Sequence, residues 1–401
     1  MTVRRWVGLT LMLLALLLGG VGAAVAWHLH GLLTQARTAL ASRDYPLALE
    51  KAEAYLRWMS TDAQAHLLAA RAARKQDLLD QAAEHLRQCR RAGGADRLID
   101  LEFALIDVQR GKSGPVRSLR ATAESDAENG PEILEVLTQF YLDTYLLQDA
   151  RRCLDRYLEY RPDDLLALLT RARVFERLQY YPEALRDYRQ AVAAHPESVP
   201  ARLGMAQMLL ISGTPGEARE QFAHLVETNQ ADRAARLGLA RSLRLLGQHD
   251  EAIALLDALL RESADDGEAL RERGQVDMDR GDPAGAEPRL QAASRLLPHD
   301  RETFHALAQC LRRLGRTKEA ETAQAQADRC VADLDRLHKV VQAVMRSPND
   351  AQLRYQGALL FLEHGELQEG MRWLEMTLKL DPSHAAARAE WQRRLKEPAT
   401  K

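Results

Sequence analysis

Three groupings of residues have the types that chemistry requires, and each fails on spacing. Gly111-Lys112-Ser113 matches the end of a phosphate-binding loop, in which backbone N–H groups cradle an anion, but the glycine needed five residues earlier is Ile106. Asp277, Asp279 and Asp282 offer oxygens for a calcium loop, yet Gly281 stands fifth rather than sixth and no glutamate stands twelfth. The histidines include no His-Glu-x-x-His. The four cysteines, Cys89, Cys153, Cys310 and Cys330, lie far apart without a Cys-x-x-Cys pair, so they read as buried free thiols rather than zinc ligands or a disulfide framework. No metal, cofactor or catalytic residue is expected.

The elements that would position such groups point the same way. At 401 residues the chain has room for two or three globular domains of roughly 150 residues each, unless it is a repeat array. Composition favours the array: 46% hydrophobic but 5% aromatic, with alanine and leucine abundant, is helical material. With 55 Lys+Arg against 57 Asp+Glu the formal charge is −2, which gives no broad basic surface, so no nucleic acid partner is expected. Only 8 of the 55 cations are lysine, which favours planar contacts of guanidinium with carboxylate.

Residues Trp6 to Trp27 form 22 consecutive positions without a charge, long enough as a helix to cross a bilayer at about 1.5 Å per residue. Arg4 and Arg5 precede this stretch and the next cation is Arg37, so the positive-inside rule holds the N-terminus in the cytoplasm. The expectation is a single-pass membrane protein anchored through residues 6–27, with the remainder extracytoplasmic, periplasmic if bacterial. Ala24-Val25-Ala26 also suits a signal peptidase; cleavage there would leave a soluble secreted or periplasmic protein.

Written from Leu29 in rows of 34, the chain fills nine rows without a gap up to Leu334. Row position 8 reads Ala36, Ala70, Ala104, Thr138, Ala172, Ala206, Ala240, Gly274, Ala308, and position 20 reads Ala48, Ala82, Val116, Ala150, Ala184, Ala218, Ala252, Ala286, Ala320. Small residues in two columns let paired antiparallel helices approach closely. Position 15 carries Gly213, Gly247, Gly281 and Gly315, suited to a turn with positive φ, while Pro162, Pro196 and Pro298 punctuate position 32. On these columns, and on Leu168, Ala172, Phe175, Tyr181, Ala184, Tyr188, Ala191 and Pro196 of one row, the chain resembles the tetratricopeptide repeat family. The resemblance implies an all-α, right-handed α-solenoid of about ten helix-turn-helix units, and the uncharged stretch ahead of it is expected to add one preceding transmembrane helix.

The expected organisation is an anchor or signal at 1–28, nine repeats over 29–334, an extended-helix insert at 335–350, a further repeat at 351–384 with Gly370 in place of the usual alanine, and a capping helix and tail at 385–401. Row 97–130, with Asp100, Asp107, Arg120 and Glu128 at usually apolar or proline positions, is the irregular one, and Pro288 is expected to kink its helix.

In the family, positions 2, 5, 9 and 12 of each first helix line the concave groove. Here Leu169, Leu203 and Leu237 supply an apolar strip, and Arg71, Arg74, Arg173, Arg177, Arg241, Arg244 and Arg312 supply or flank a cationic one. The pairing suits a peptide or protein segment bearing carboxylates and apolar anchors. Because the repeats leave no segment for a catalytic domain, the functional expectation is a non-catalytic, membrane-tethered scaffold for protein partners. Two other readings within reach are an assembly factor for envelope or cytochrome complexes and a cytoplasmic-side subunit that recruits an enzyme.

Overall fold

The computed structural model describes residues 23–396, all of whose regular structure is helical. It divides into two compact units, one ending at Val136 and the other beginning at Leu137. The first holds α1 (residues 23–41), α2 (Tyr45–Leu56), α3 (Ala63–Lys75), α4 (Leu79–Arg91), α5 (Asp96–Gln109), α6 (Val116–Ser125) and the first turns of α7 (Gly130–Asp143). The second continues α7 and adds α8 (Leu147–Tyr160), α9 (Leu165–Arg177), α10 (Tyr181–Ala194), α11 (Val199–Ile211), α12 (Pro215–Thr228) and α13 (Arg233–Leu245). It then runs through α14 (His249–Glu262), α15 (Gly267–Asp279), α16 (Pro283–Leu296), α17 (Arg301–Arg313), α18 (Thr317–Arg346), α19 (Ala351–Glu363), α20 (Leu367–Leu380) and α21 (Ala385–Lys396).

Local chemistry sets the helix ends. The residue at row position 34 caps the next row's first helix: Asp62, Asp164, Asp232 and Asp266 each accept from the backbone N–H three residues on at 3.0 Å, and Ser198 does so at 3.3 Å. These caps satisfy an amide that the helix itself leaves unpaired. Between the paired helices the chain turns through one left-handed residue. Glycine takes that place at Gly111, Gly213, Gly247, Gly281 and Gly315, with φ from 75° to 85°. Arg43, Asp77, Tyr145 and Gln179 hold the same row position at φ 59° to 65°, a conformation that costs a β-carbon-bearing residue about 1 kcal/mol.

The small columns are where the helices meet. Ala48, Ala82, Ala150, Ala184, Ala218, Ala252 and Ala286 are all fully buried. At row position 27 the hydroxyls of Tyr55 and Tyr157 donate to the capping Asp62 and Asp164 at 2.9 and 3.2 Å. One row departs from the columns. In α5 it is Leu105 that is wholly buried while Ala104 is half-exposed, and in α6 Leu119 and Ala123 take the core in place of Val116. Row 97–130 thus departs from the small column at position 8 while Ile99, Ile106 and Ala123 stay buried, and α6, at 10 residues, is shorter than α5 and α7, of 14 residues each. α16 runs on through Pro288, and α18 extends unbroken for 30 residues.

No helix among the described residues is long and apolar enough to cross a membrane. The single-pass localisation expected from residues 6–27 is corrected accordingly. The described end of that stretch, 23–27, opens α1, which continues to residue 41 and seats Leu29, Leu32 and Leu33 against the alanine core of the first unit, with Trp27 81% exposed. Residues 6–22 lie outside the described residues, as does the tail 397–401.

Candidate functional site

The first unit has a cleft of about 410 Å³ built from residues at row positions 2, 5 and 9. Gln64, Leu67 and Arg71 come from α3, Arg37 from α1 and Leu98 from α5, so three successive first helices contribute the same stripe. Leu67, Leu68 and Leu98 are half-buried and form an apolar floor. Arg37 is exposed at the rim, its Nη2 donating to Gln64 Oε1 at 2.9 Å. At the far wall, the turn after α4 passes Cys89 so closely that a β-carbon at Gly94 would collide with the sulfur, and Gly93 takes φ +80°. The thiol of Cys89 donates to Ala63 O at 3.1 Å, and burial pushes its pKa up, which leaves it a packing group.

The arginines singled out in the sequence divide sharply by environment. Arg71 and Arg74 donate through Nε to the two oxygens of Glu102 at 2.7 and 2.8 Å, and Glu102 and Arg74 are each 1% exposed. Arg74 also reaches Gln109 Oε1 at 3.3 Å and the carboxylate of Glu132. Burial works against the Glu132 carboxylate, but Arg74, Lys75 and Arg71 together hold its pKa below the usual range. The same clamp recurs five rows later. Arg244 Nε donates to Glu272 at 3.2 Å, Arg241 Nε lies 3.9 Å from it, and Arg271 adds a third cation at 3.3 Å.

Arg74 is therefore buried in the array wall and Arg244 half-buried there, both engaged by carboxylates of later rows. Arg241 also pairs with Glu302 at 3.3 Å, and Arg177 pairs with Glu369 at 3.2 Å. Arg312 is exposed and donates to Gln324 at 2.8 Å. Arg173 is exposed beside the hydroxyl of Tyr188, whose ionisation is pushed up by burial and by Glu176. Of the three leucines, Leu169 is 8% exposed and belongs to the core, while Leu203 and Leu237 are half-buried. Leu166, at 60% exposure, is the apolar residue that α9 offers at row position 2.

Sequence reasoning missed Glu102 and Glu272. Both stand at row position 6, and the signal was available: Arg at positions 9 and 12 of one row, then Glu at position 6 of the next. The joints between other rows use a different fit. Tyr188 and Phe222, at row position 24, lie over Gly204 and Gly238, where a β-carbon would strike the ring.

A second cleft, of about 470 Å³, is lined by Arg151, Asp155, Arg171, Phe175, Tyr180 and Asp187, among others. Most of its charge is internally matched, since Arg171 grips Asp187 with two bonds of 2.7 Å and Asp155 with one of 3.1 Å. In the first unit His66 and His85 face each other with Nδ1 atoms 3.2 Å apart. His66 Nε2 lies 3.0 Å from Ser60 O, and the tautomer that donates there leaves its Nδ1 to accept from His85 Nδ1. His85 Nε2 is then left 3.6 Å from Glu53.

Family models described as tetratricopeptide repeat match residues 146–199, 169–231, 209–272 and 271–335. Among curated proteins, DnaJ homolog subfamily C member 3 of Gallus gallus is 23% identical over 306 residues, covering 73% of this chain and 58% of the relative. The Homo sapiens protein of the same name is 25% identical over 299 residues, covering 71% and 57%. The chain thus spans little more than half the length of these relatives. Among solved structures, a tetratricopeptide repeat protein from Parabacteroides merdae is 17% identical, with a TM-score of 0.36, covering 71% of this chain and 98% of that one.

Proposed function

We propose that this tetratricopeptide-repeat chain is a protein-interaction scaffold whose first unit receives an extended segment of a partner along the stripe of α1, α3 and α5. One observation carries the reading: the cleft at Leu67 has a continuous apolar floor and, at its rim, the exposed guanidinium of Arg37. An apolar anchor seats on Leu67, Leu68 and Leu98, and a carboxylate next to it meets Arg37. Main-chain groups of an extended segment meet the amide of Gln64. The reading assigns no catalysis to the chain.

In the second unit the corresponding stripe offers Leu166, Leu203 and Leu237 beside Arg173, a weaker version of the same surface. Arg71 and Arg241 lie along the stripe but are already engaged by Glu102 and Glu302, so they contribute shape and field rather than a free bidentate contact.

The test is a peptide array of ten-residue segments in which leucine and aspartate are varied independently, probed with the full chain and with Leu67→Asp and Arg37→Glu. Selection for an apolar residue followed by a carboxylate, lost in Leu67→Asp and inverted in charge preference by Arg37→Glu, supports the reading. Equal binding by all three proteins refutes it.

A further inference from the structure

Within the second unit, residues 210 positions apart in sequence touch. The turn joining α7 to α8 carries Thr144 and Tyr145, and the hairpin of α19 and α20 carries Arg354, Glu369 and Trp373. Arg354 Nη2 donates to Thr144 O at 2.9 Å, and its guanidinium lies 5.9 Å from the centre of the Trp373 ring. The Tyr145 ring meets Trp373 edge-on at 5.1 Å. From the other side Arg177 lies 5.5 Å over Tyr145 and reaches Glu369 at 3.2 Å.

None of these contacts follows from the 34-residue period, because they join the first turn of this unit to its last hairpin. Helices α8 to α18 pack consecutively between them, so the contacts close the unit on itself.

The closure also carries costs that an ordinary repeat joint lacks. Arg354 is fully buried yet receives no carboxylate: its donors go to Pro348 O at 3.0 Å and Thr144 O, and among the described residues its Nη1 has no partner. Burial pulls its pKa down to about 10. Tyr145 stands at φ 59°, as Gln179 does at 61° in the following row, so that conformation belongs to the turn and not to the seam. Asp143, one residue before Thr144, is itself pushed up by burial despite Lys379 and Arg372 nearby. A few aromatic and cation contacts are set against a desolvated cation and a raised carboxyl, which leaves a small balance.

We propose that Thr144, Tyr145 and Arg177 on one side and Arg354, Glu369 and Trp373 on the other form a reversible seam that closes residues 137–380 into a ring and is poised to open. Any occupant of the inner face of this unit then enters by threading a free end or while the seam is open; this consequence rests on the scaffold reading, and the seam itself does not.

Tyr145→Gly is the discriminating variant, because glycine suits the left-handed turn while deleting the ring that touches both Trp373 and Arg177. In the full chain it is expected to raise the radius of gyration measured by X-ray scattering and to speed amide exchange over α19 and α20 about tenfold, with the helical circular dichroism unchanged. Gln179→Gly, at the same row position in the following row and outside the seam, should leave scattering and exchange in α19 and α20 as they are in the unaltered chain. Identical scattering and exchange for Tyr145→Gly and the unaltered chain would overturn the seam. Exchange of α19 and α20 in the unaltered chain only at the rate of α11 to α14 would show a permanent joint and overturn its reversibility.

Discussion

Glu102→Gln tests whether the two-arginine joint is a clamp or a decoration. The substitution keeps the shape and removes one charge, and its two partners should respond differently. Arg71 is 25% exposed, so it turns toward water, and an exposed pair of this kind is worth about 0–1 kcal/mol. Arg74 is 1% exposed and has no such route. Removing one member of a buried pair costs about 3–5 kcal/mol, and because Glu132 and Gln109 still hold Arg74, the lower end, about 3 kcal/mol, is the expected loss. The assay is hydrogen exchange resolved to α3 and α5, because a repeat array does not guarantee a single unfolding step. At about 1.4 kcal/mol per decade the loss reads as roughly a hundredfold fall in protection in those helices. Replacing Arg71, Arg74 and Glu102 together by methionine should bring protection back to within about tenfold of the original. A loss under about 1 kcal/mol for Glu102→Gln, the value of a surface pair, would refute the clamp. A triple methionine variant as unstable as Glu102→Gln would show that packing rather than charge was lost.

Other outcomes follow from single positions. Gln179→Gly relieves a left-handed residue at φ 61° and should stabilise the chain by about 0.5–1 kcal/mol, read as a higher urea midpoint; an unchanged or lower midpoint contradicts the strain argument. Gly204→Ala pushes a methyl into the Tyr188 ring and should cost about 1–3 kcal/mol, with Tyr188→Leu recovering most of it in the same chain; no recovery would place the cost in the backbone instead. Burial and His66 hold the His85 imidazole below its ordinary 6.5 despite Glu53 and Glu84, so the unfolded chain binds the proton more readily. The first unit keeps this stability above about pH 6.5 and loses it as pH falls through the lowered pKa. His85→Gln should flatten that loss in exchange measured on α3 and α4 between pH 7 and 5, and an identical pH profile would exclude His85 as its source.

What could be read in advance was whatever repeats. The glycines at Gly213, Gly247, Gly281 and Gly315 announce their turns because glycine alone takes positive φ without cost, and the alanine columns announce helix contact because nothing larger fits. Arginine announces only its charge. Whether Arg74 faces a partner or the wall depends on a carboxylate 28 residues later, and that becomes visible only when position 6 of the following row is compared with positions 9 and 12. The burial of Leu105 in α5 was hidden for a related reason: Ala104 and Leu105 are both apolar, and the gap-free column pointed to Ala104. Contacts such as Arg354 with Thr144 leave no periodic trace, since they depend on the accumulated curvature of all the intervening helices.

The unlike joints have a consequence for how the array finds its order. In a chain of identical repeats every row docks equally well on every other, so a folding intermediate can skip one and trap itself. Here some misplaced rows meet the wrong lock. If the second helix bearing Tyr188 docked against α15 instead of α11, its ring would meet Glu272 where it needs the bare backbone of Gly204, and Glu272 would be separated from Arg244. If α5 docked on a row without the Arg-x-x-Arg pair, Glu102 would be buried without a counter-charge. The departures from the consensus thus serve as addresses that keep the ring-on-glycine joints apart from the carboxylate-clamped ones.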